Sequence, residues 1–402
     1  MKIKYIQDKQ NLGIDYDWGL IRKEYNKLGV PGDYYDIPWK AIQEGNKYIM
    51  SLSERSTGKT TNLGLLVGLV MNKIYKTQVV YIRPTEDELS ASHAQKLVDV
   101  IKTYKEGQYI KALTDGEYNS IYYHWRQFFY CFVGETGEIE KKSTTPIIQM
   151  LSVARASDYK STLNLPLGDW IVYDEFIGKY YRPDEAIHFL DLLKTIIRDR
   201  LSPVVCMLAN TINLNSQYFE EFEISREVRK LNKGDKRTIT TDRGTKIYVE
   251  IVNLVRHDNT HSILNSMFYG FKNPKIASIT GGEVWAFECV PHILRDCTDK
   301  RVLARNLYIE SGLELLQIEI VYNKEQGIHL EIHRASKTYP DSIILTIGDQ
   351  KDIRYYFGLG HGNISRLLTK YITERKVYYS SNEVGSIFKD YLNRYLMIKN
   401  QY

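Results

Sequence analysis

The sequence predicts an α/β fold, with a parallel sheet that carries helices on both faces and a second α/β region after it. Through the first half of the chain, short apolar segments alternate with helical patterns, which is typical of a parallel sheet. One apolar segment, 48–52, leads into Ser53-Glu54-Arg55-Ser56-Thr57-Gly58-Lys59-Thr60, and a helical pattern follows over 61–75. A strand, a Gly-Lys-Thr loop and a helix in this order predict a phosphate-binding P-loop.

The loop residues have the chemistry that a nucleotide phosphate requires. Gly58 lets the backbone approach the phosphate, Lys59 neutralises the β- and γ-phosphates, and Thr60 offers a hydroxyl to Mg²⁺. The amide groups and the dipole of the helix start attract the same anion. The full motif has glycine at the position of Ser53, so the match is incomplete. The alternative is an ordinary helix start, capped by Ser or Thr beside a chance lysine.

Further along, a buried strand is predicted to end in two adjacent carboxylates. The strand covers 170–173, and Asp174 and Glu175 follow it. Ligands of open α/β sheets bind at the carboxyl ends of the strands. There, Asp174 is placed to hold Mg²⁺ through water and Glu175 to polarise the water that attacks the γ-phosphate. An Asp-Glu pair by itself also fits a turn, but together with the P-loop it predicts ATP hydrolysis.

Two polar residues after this pair are further candidates. A helix is predicted over 184–198, and its apolar residues fall on one face. These residues are Ala186, Phe189, Leu190, Leu193, Ile196 and Ile197. Arg198 then points away from the core and could reach the nucleotide of a neighbouring subunit, and an ordinary helix-end arginine is the alternative. Asn210 follows the strand predicted over 204–208 and could hydrogen-bond the attacking water or the γ-phosphate, or simply form a turn.

The segment 226–246 is strongly basic. It contains eight Lys or Arg residues and three acids, and 8 minus 3 equals the +5 net charge of the whole chain. Such a segment is either a solvated connector or a surface that faces DNA or another partner. Its candidate DNA contacts are Arg229, Lys230, Lys233, Lys236 and Arg237.

The remainder of the chain predicts a separate strand-rich α/β domain. A meander is predicted over 315–346, with helices near 364–372 and 381–397. The predicted division is therefore an ATPase domain over 1–225, a basic linker over 226–300 and a C-terminal domain over 301–402. Glu319 and Glu331 fall in predicted strands beside polar residues, which predicts that they face solvent. The region would then lack the carboxylate cluster that a metal-dependent nuclease requires.

Composition limits the remaining classes of protein. A net charge of +5 and a pI of about 8.7 are compatible with a polyanionic partner without indicating one. The four cysteines form no Cys-x-x-Cys pair, so a disulfide framework or a cysteine-based zinc site is not expected. The sequence has no apolar run of about 18 residues and no apolar signal core, which predicts a cytosolic protein without a membrane span.

These motifs, in this order, resemble those of the DNA-packaging ATPases of small phi29-type tailed phages. The resembling segments, which cover about residues 48–211, are Ser53 to Thr60, Tyr81-Ile82-Arg83, Trp170 to Phe176, Leu192 to Arg200 and Leu208-Ala209-Asn210. The C-terminal half matches weakly, through Ile320-Val321-Tyr322-Asn323 and the helical tail.

The resemblance implies an ASCE-type P-loop fold that uses ATP and Mg²⁺. Ser53 and Arg55 would belong to the phosphate loop, and Arg198 would act on a neighbouring subunit. Lys160 would match a lysine of the lid region and is a further candidate DNA contact. The family forms a ring, usually a pentamer, on the portal of an empty procapsid in the host cytoplasm, and pumps double-stranded DNA inward. A packaging RNA is a possible partner, and the C-terminal domain would be a degenerate RNase H-like nuclease fold.

Two other functions remain open from the sequence. One is a large terminase with an active nuclease, and the other is a nucleotide-switched scaffold or DNA-binding protein that does not move DNA. Stimulation of ATP hydrolysis by DNA would distinguish the motor from the scaffold.

Overall fold

The computed structural model of the chain describes residues 5–8, 11–31, 35–53, 57–103, 108–160, 162–178, 182, 184–210, 216–252, 290–293, 299–312 and 314–401. Contacts between residues divide the chain into two compact units. The first comprises Met1–Gly178 and Asp184–Ser262, and the second comprises Lys179–Pro183 and Ile263–Tyr402. Among the described residues, no helix is both long enough and apolar enough to span a membrane.

The described strands of the first unit form a large sheet and a small one. In chain order they are β1 (Tyr5–Asp8), β2 (Asn11–Ile14), β3 (Tyr48–Leu52), β4 (Gln78–Arg83), β5 (Ser120–His124), β6 (Gln127–Val133), β7 (Ile139–Lys142), β8 (Ile148–Ser152), β9 (Gly168–Asp174), β10 (Val204–Ala209), β11 (Lys236–Thr240) and β12 (Lys246–Ile251). β1 pairs with β2. In the large sheet β7 pairs with β6, and the other strands follow the order β11-β12-β3-β10-β9-β4-β8-β6-β5.

The six neighbouring strands from β12 to β8 run parallel, which confirms the predicted parallel sheet. β9 and β10 are buried along their whole length, as expected for strands that are covered on both faces. β10 lies between β3 and β9. This is the additional strand of the ASCE-type class that the resemblance implies.

The described helices of the first unit are α1 (Trp18–Asn26), α2 (Trp39–Gln43), α3 (Val67–Tyr75), α4 (Ala91–Thr103), α5 (Gln108–Leu113), α6 (Ala156–Tyr159), α7 (Glu185–Ile197), α8 (Gln217–Glu221) and α9 (Ser225–Val228). A π-helical turn, Thr60–Leu66, leads directly into α3. A Cβ atom at Gly68 would lie 2.4 Å from a methyl carbon of Val79 and 2.6 Å from the Trp170 ring, so this glycine lets α3 approach the sheet closely.

The sequence has a helical pattern over 86–104, but the helix begins later than that pattern indicates. A short 3-10 turn covers Asp87–Leu89, and Ser90 then adopts an extended ψ of 154° before α4 begins at Ala91. The buried face of α7 also differs slightly from the prediction. Leu192 is buried, whereas Leu190 and Ile197 are half-buried.

The basic segment is part of the sheet, so the predicted linker over 226–300 is wrong for residues 236–251. β11 and β12 form an antiparallel hairpin, and β12 runs parallel to β3 with Ile247 opposite Tyr48 and Ile251 opposite Leu52. Four of the five residues of β11 are exposed, in the pattern of an edge strand. The hairpin was interpreted as a possible solvated connector because its exposed lysine and arginine side chains give it the same composition as one.

The second unit contains a six-stranded sheet in its described residues. Its elements are β13 (Arg301–Ser311), β14 (Glu314–Asn323), β15 (Gly327–Arg334), β16 (Ile343–Thr346), β17 (Tyr355–Phe357), α10 (Gly362–Thr373), β18 (Val377–Tyr379) and α11 (Asn382–Gln401). The strand order is β17-β16-β13-β14-β15-β18. Only β13, β14 and β15 form a meander, because β16 returns to pair parallel with β13. The unit is α/β as predicted, and its likeness to a nuclease fold stays a prediction.

The prediction that Glu319 and Glu331 face solvent is wrong. The period-2 alternation of the strands places both residues on the face opposite the core residues Ile318 and Ile332, as the sequence indicates. That face is nevertheless covered, because Glu331 is only 3% exposed. The Glu319 side chain is 17% exposed. Burial of this face cannot be read from the strand pattern alone.

Candidate nucleotide-binding site

The phosphate-loop lysine lies at the start of the helical segment after β3. Gly58 has a φ of +84°, which a residue with a side chain rarely adopts, and Lys59 follows with helical backbone angles. The Lys59 ammonium is buried and donates to Ser53 Oγ and, over 3.0 Å, to Asn210 Oδ1. Ser53, which replaces the glycine of the full motif, thus contacts the lysine directly. Arg55 lies outside the described residues.

Burial lowers the pKa of Lys59 to about 8, although the nearby negative charge of Asp174 opposes this shift. A buried ammonium group with a lowered pKa favours a strong anionic ligand, because such a ligand supplies the countercharge that the protein interior lacks. The geometry of Lys59 therefore fits phosphate.

Asp174 ends β9, next to the hydroxyl of Thr60. Thr60 Oγ1 lies 3.4 and 3.3 Å from the two carboxylate oxygens of Asp174, and the Tyr81 hydroxyl donates to Asp174 Oδ2 over 2.6 Å. A hydroxyl and a carboxylate oxygen are ligands that Mg²⁺ prefers. The structure therefore brings together the two residues that the sequence proposed for the metal.

Glu175 follows Asp174 in a left-handed backbone conformation, with a φ of +57°. Such a conformation costs about 1–3 kcal/mol and persists only when the surrounding structure holds it. Asn210, at the end of the neighbouring strand β10, places Nδ2 at 3.5 Å from Glu175 Oε1 and accepts from Lys59 through Oδ1. Asn210 therefore lies between Lys59 and Glu175.

Arg83 is a site residue whose role the sequence did not reveal. It ends β4 and donates through Nη1 to Asp174 Oδ2 over 3.2 Å and through Nη2 to Glu175 Oε2 over 2.9 Å. Its side chain is 14% exposed. β4 is the sheet neighbour of β9, with Ile82 opposite Tyr173, although they lie far apart in sequence. An arginine at the carboxyl end of a buried strand is a pattern that could have indicated a site residue. Which carboxylates it contacts depends on the strand order, which the sequence does not give.

A buried carboxylate beneath the phosphate loop is a second such residue. Glu250 on β12 is 1% exposed, accepts from the Tyr35 hydroxyl, and accepts from the Tyr248 hydroxyl over 3.0 Å. Burial raises the pKa of this carboxyl. The Tyr35 backbone amide in turn donates to the Thr57 carbonyl over 2.9 Å, and Asn62 Nδ2 donates to the Tyr35 carbonyl. Tyr35 thus links Glu250 to the loop and to the helical turn after it.

A cavity of about 300 Å³ opens beside these residues. One side consists of the loop and the helix start, and another side is apolar. The lining residues are Val30, Thr57, Gly58, Lys59, Thr60, Thr61, Asn62, Val100, Tyr109 and Asn210. A polar end beside an apolar wall is the pattern of a pocket that could take a nucleotide with its base.

Arg198 is not among the residues that line this cavity. It follows α7 with a φ of +52°, is exposed, and donates through Nη2 to the Leu163 carbonyl over 3.0 Å. Its exposure agrees with the predicted direction, away from the buried face of α7. Its action on a neighbouring subunit stays a prediction.

The candidate DNA contacts are mostly exposed, but several already have acidic neighbours. Lys160 pairs with Asp191 over 2.8 Å, and both Lys230 and Arg237 pair with Glu227 over 2.8 Å. Lys233 and Lys236 are exposed, and Arg229 is half-buried. Surface pairs of this kind contribute little to stability, so these side chains can exchange partners at low cost.

Comparison with solved structures shows the fold. The bacteriophage Phi-29 viral genome packaging motor assembly matches with a TM-score of 0.53 and 15% identity, over 89% of this chain and 98% of that chain. The Phi-28 gp11 DNA packaging motor matches with a TM-score of 0.50 and 15% identity, over 90% of this chain and 98% of that chain. The chain has the fold of phage DNA-packaging motor proteins. The packaging-motor fold confirms, at the level of structure, the resemblance that the motifs indicated. No family model and no curated protein matches the sequence.

Proposed function

We propose that the protein is an ATP-hydrolysing motor that moves double-stranded viral DNA into a procapsid through its portal, as a ring of subunits. The observation that carries this proposal is the convergence of Lys59, Thr60, Asp174, Glu175 and Asn210 on one edge of a sheet, in a chain with the packaging-motor fold. These residues come from three separate segments of the chain, and hydrogen-bonding contacts link them to one another as Lys59–Asn210, Asn210–Glu175 and Thr60–Asp174.

The chain's own residues would bind and orient ATP. The phosphates would replace Ser53 and Asn210 as partners of the Lys59 ammonium, and the amides around Gly58 would donate to them. Thr60 and Asp174 would hold Mg²⁺, which neutralises charge on the β- and γ-phosphates when bound. The base would lie against the apolar wall of the cavity.

Glu175 is the residue that would activate water. One of its carboxylate oxygens faces Asn210 Nδ2, and the other is held by Arg83, so its position is fixed from two sides. Asn210 would orient the water or the γ-phosphate, and Glu175 would polarise the water for attack. Arg83 positions the two carboxylates before the metal is present.

Arg198 would complete the site of a neighbouring subunit. It is exposed at the end of α7 and carries a planar charge that suits a phosphoryl transition state. A ring, of which a pentamer is the expected form, would place one subunit's arginine at the next subunit's phosphate. The exposed basic side chains of β11, together with Lys160, Arg229, Lys230 and Lys233, would contact DNA phosphates without reading sequence. A packaging RNA remains a possible additional partner.

A pair of variants tests the nucleotide roles. Lys59→Ala should abolish ATP binding, because the buried countercharge is lost, whereas Glu175→Gln should bind ATP normally and stop hydrolysis. Binding is measured with a fluorescent ATP analogue and turnover by phosphate release. Equal loss of ATP binding in both variants would contradict the assignment.

A packaging assay tests the motor itself. Procapsids, DNA, ATP and the protein are mixed, and the DNA that becomes resistant to added nuclease is counted. Glu175→Gln is the matched control, since it should assemble and bind ATP without packaging. DNA-stimulated ATP hydrolysis without any protected DNA would favour a motor on another substrate, and hydrolysis that DNA does not stimulate would favour the nucleotide-switched scaffold.

A further inference from the structure

The second unit contains a cluster of potential metal ligands that the proposed function does not use. Glu319 on β14 stands directly opposite Glu331 on β15, and His333 lies two residues further along β15 on the same face. One ligand atom of each of the three residues lies within 4.8 Å of the other two. We propose that Glu319, Glu331 and His333 form a binding site for a single Zn²⁺ ion. This inference does not depend on the nucleotide site.

The distances within the cluster match the spacing of ligands around one ion. His333 Nε2 lies 3.7 Å from Glu319 Oε2 and 3.6 Å from Glu331 Oε2. These separations are too long for hydrogen bonds. Nitrogen and oxygen ligands lie about 2.0–2.2 Å from a tetrahedral Zn²⁺, so two such ligands are roughly 3.4 Å apart. The two separations from His333 therefore lie within a few tenths of an ångström of this spacing, and the three ligand atoms all lie within 4.8 Å of one another.

The imidazole nitrogen of His333 also lacks the partner that its burial requires. The His333 side chain is 31% exposed, but its Nε2 atom is shielded from solvent, and the carboxylate oxygens that it faces among the described residues lie beyond hydrogen-bonding distance. A buried polar atom without a partner costs about 1–3 kcal/mol. A metal ion between His333 and the two carboxylates would satisfy it.

The charges of the cluster also favour a cation. Like charges directly opposite each other across two strands are destabilising, and Glu331 is almost fully buried. Lys300 Nζ lies 2.5 Å from Glu331 Oε2, and His329 Nε2 lies 3.2 Å from Glu331 Oε1. Among the acidic and lysine side chains of this face, two carboxylates and one ammonium give −2 + 1 = −1, an excess of negative charge. Lys300 thus stabilises the cluster in part and competes with an ion for Glu331 Oε2.

The donor set selects the class of ion. An imidazole nitrogen with two carboxylate oxygens suits a transition ion better than Mg²⁺ or Ca²⁺, which prefer oxygen ligands alone. Zn²⁺ binds such sites more tightly than Mn²⁺. Three protein ligands leave a fourth position open for water or another ligand. The cluster holds one ion, whereas two-metal DNA cleavage requires two ions about 3.5–4 Å apart, so the proposal is a binding site and not a nuclease.

Zinc titration of the full-length, nucleotide-free chain by calorimetry tests the proposal. Glu319→Gln, Glu331→Gln and His333→Ala should each lose one equivalent of bound Zn²⁺, or weaken it at least tenfold. Glu325→Gln is the matched control, because Glu325 is exposed in the turn between the same two strands and its loss removes the same charge. It should leave Zn²⁺ binding unchanged.

A gain of binding separates a metal site from a structural cluster. Lys300→Ala removes the competing ammonium and should tighten Zn²⁺ binding several-fold, while the metal-free variant melts at a lower temperature than the parent chain. Circular dichroism without metal confirms that each variant folds. The proposal fails if the parent chain and His333→Ala bind the same number of Zn²⁺ ions with equal affinity, or if Lys300→Ala binds Zn²⁺ no more tightly than the parent chain.

Discussion

Arg83→Ala should destabilise the nucleotide-free protein and do so much less when Mg²⁺ and ATP are bound. The guanidinium spans the two carboxylates of Asp174 and Glu175, and the Asp174 side chain is only 9% exposed. Removal of the arginine leaves a nearly buried carboxylate whose remaining hydrogen-bond donors, the Tyr81 and Thr60 hydroxyls and the Glu175 amide, are uncharged. Magnesium would occupy the same side of Asp174, so the ion and the arginine are alternative sources of positive charge.

The size of the effect follows from the exposure of the two carboxylates. Loss of one partner of a buried ion pair costs about 3–5 kcal/mol. The Glu175 side chain is 41% exposed, so solvent screens its share of the interaction. A cost of about 3 kcal/mol in the nucleotide-free state is expected, which corresponds to roughly 6–12 °C in melting temperature for a domain of this size. Saturating Mg²⁺ and ATP should reduce this difference by half or more.

Thermal melts with and without Mg²⁺ and ATP measure both quantities. Arg155→Ala is the matched control, because Arg155 pairs with Asp158 but both side chains are about half exposed, at 46% and 51%. Its melting temperature should change by less than about 3 °C. The reasoning is refuted if Arg83→Ala destabilises no more than the control, or if the loss is the same with and without Mg²⁺ and ATP.

Four further predictions follow from the same structure. Because the pKa of Lys59 is lowered to about 8 and bound phosphate favours the charged form, ATP affinity should fall by up to tenfold per pH unit above about pH 8, and Lys59→Arg should flatten this dependence. Stability of the nucleotide-free protein should rise between about pH 8 and 10.5, since the unfolded chain holds the lysine proton more tightly over that window. The Arg198→Ala variant should bind ATP normally but hydrolyse it about 10³-fold more slowly. Rings that mix this variant with Lys59→Ala subunits should regain part of the activity. Mixtures as inactive as the separate variants, despite confirmed co-assembly, would argue against action between subunits. Replacement of Lys236 and Arg237 by alanine should weaken DNA binding equally on unrelated duplexes. The slope of log binding constant against log salt concentration should fall by about one unit per residue replaced. An unchanged slope would show that β11 does not contact DNA.

The residues that the sequence identified share one property. Asp174 and Asn210 lie where an apolar strand ends, and Lys59 lies at the helix start that the loop after such a strand leads into. The carboxyl ends of parallel strands meet at one edge of a sheet. Their proximity therefore followed from local patterns alone. The apolar strands themselves were also clear, because strands covered on both faces are continuously hydrophobic.

The residues that the sequence missed depend on which elements become neighbours. Arg83 contacts Asp174 because β4 lies beside β9, and Glu250 reaches Tyr35 because β12 pairs with β3. The local sequence pattern predicts neither of these two strand pairings. The burial of Glu331 has the same origin, since alternation along a strand indicates which face a side chain takes but not what covers that face.

The basic hairpin has a mechanical consequence. A flexible connector extends under load, so a force applied to it would not be transmitted to the phosphate loop. In this protein, β11 is hydrogen-bonded to β12 and β12 to β3, the strand that leads into the phosphate loop. Force applied to Lys236 or Arg237 would therefore pass through two rows of backbone hydrogen bonds to the residues before Ser53. A hydrogen-bonded ladder of this kind transmits displacement with little slack, so a load on the outer edge and a change in the loop would act on the same stiff element.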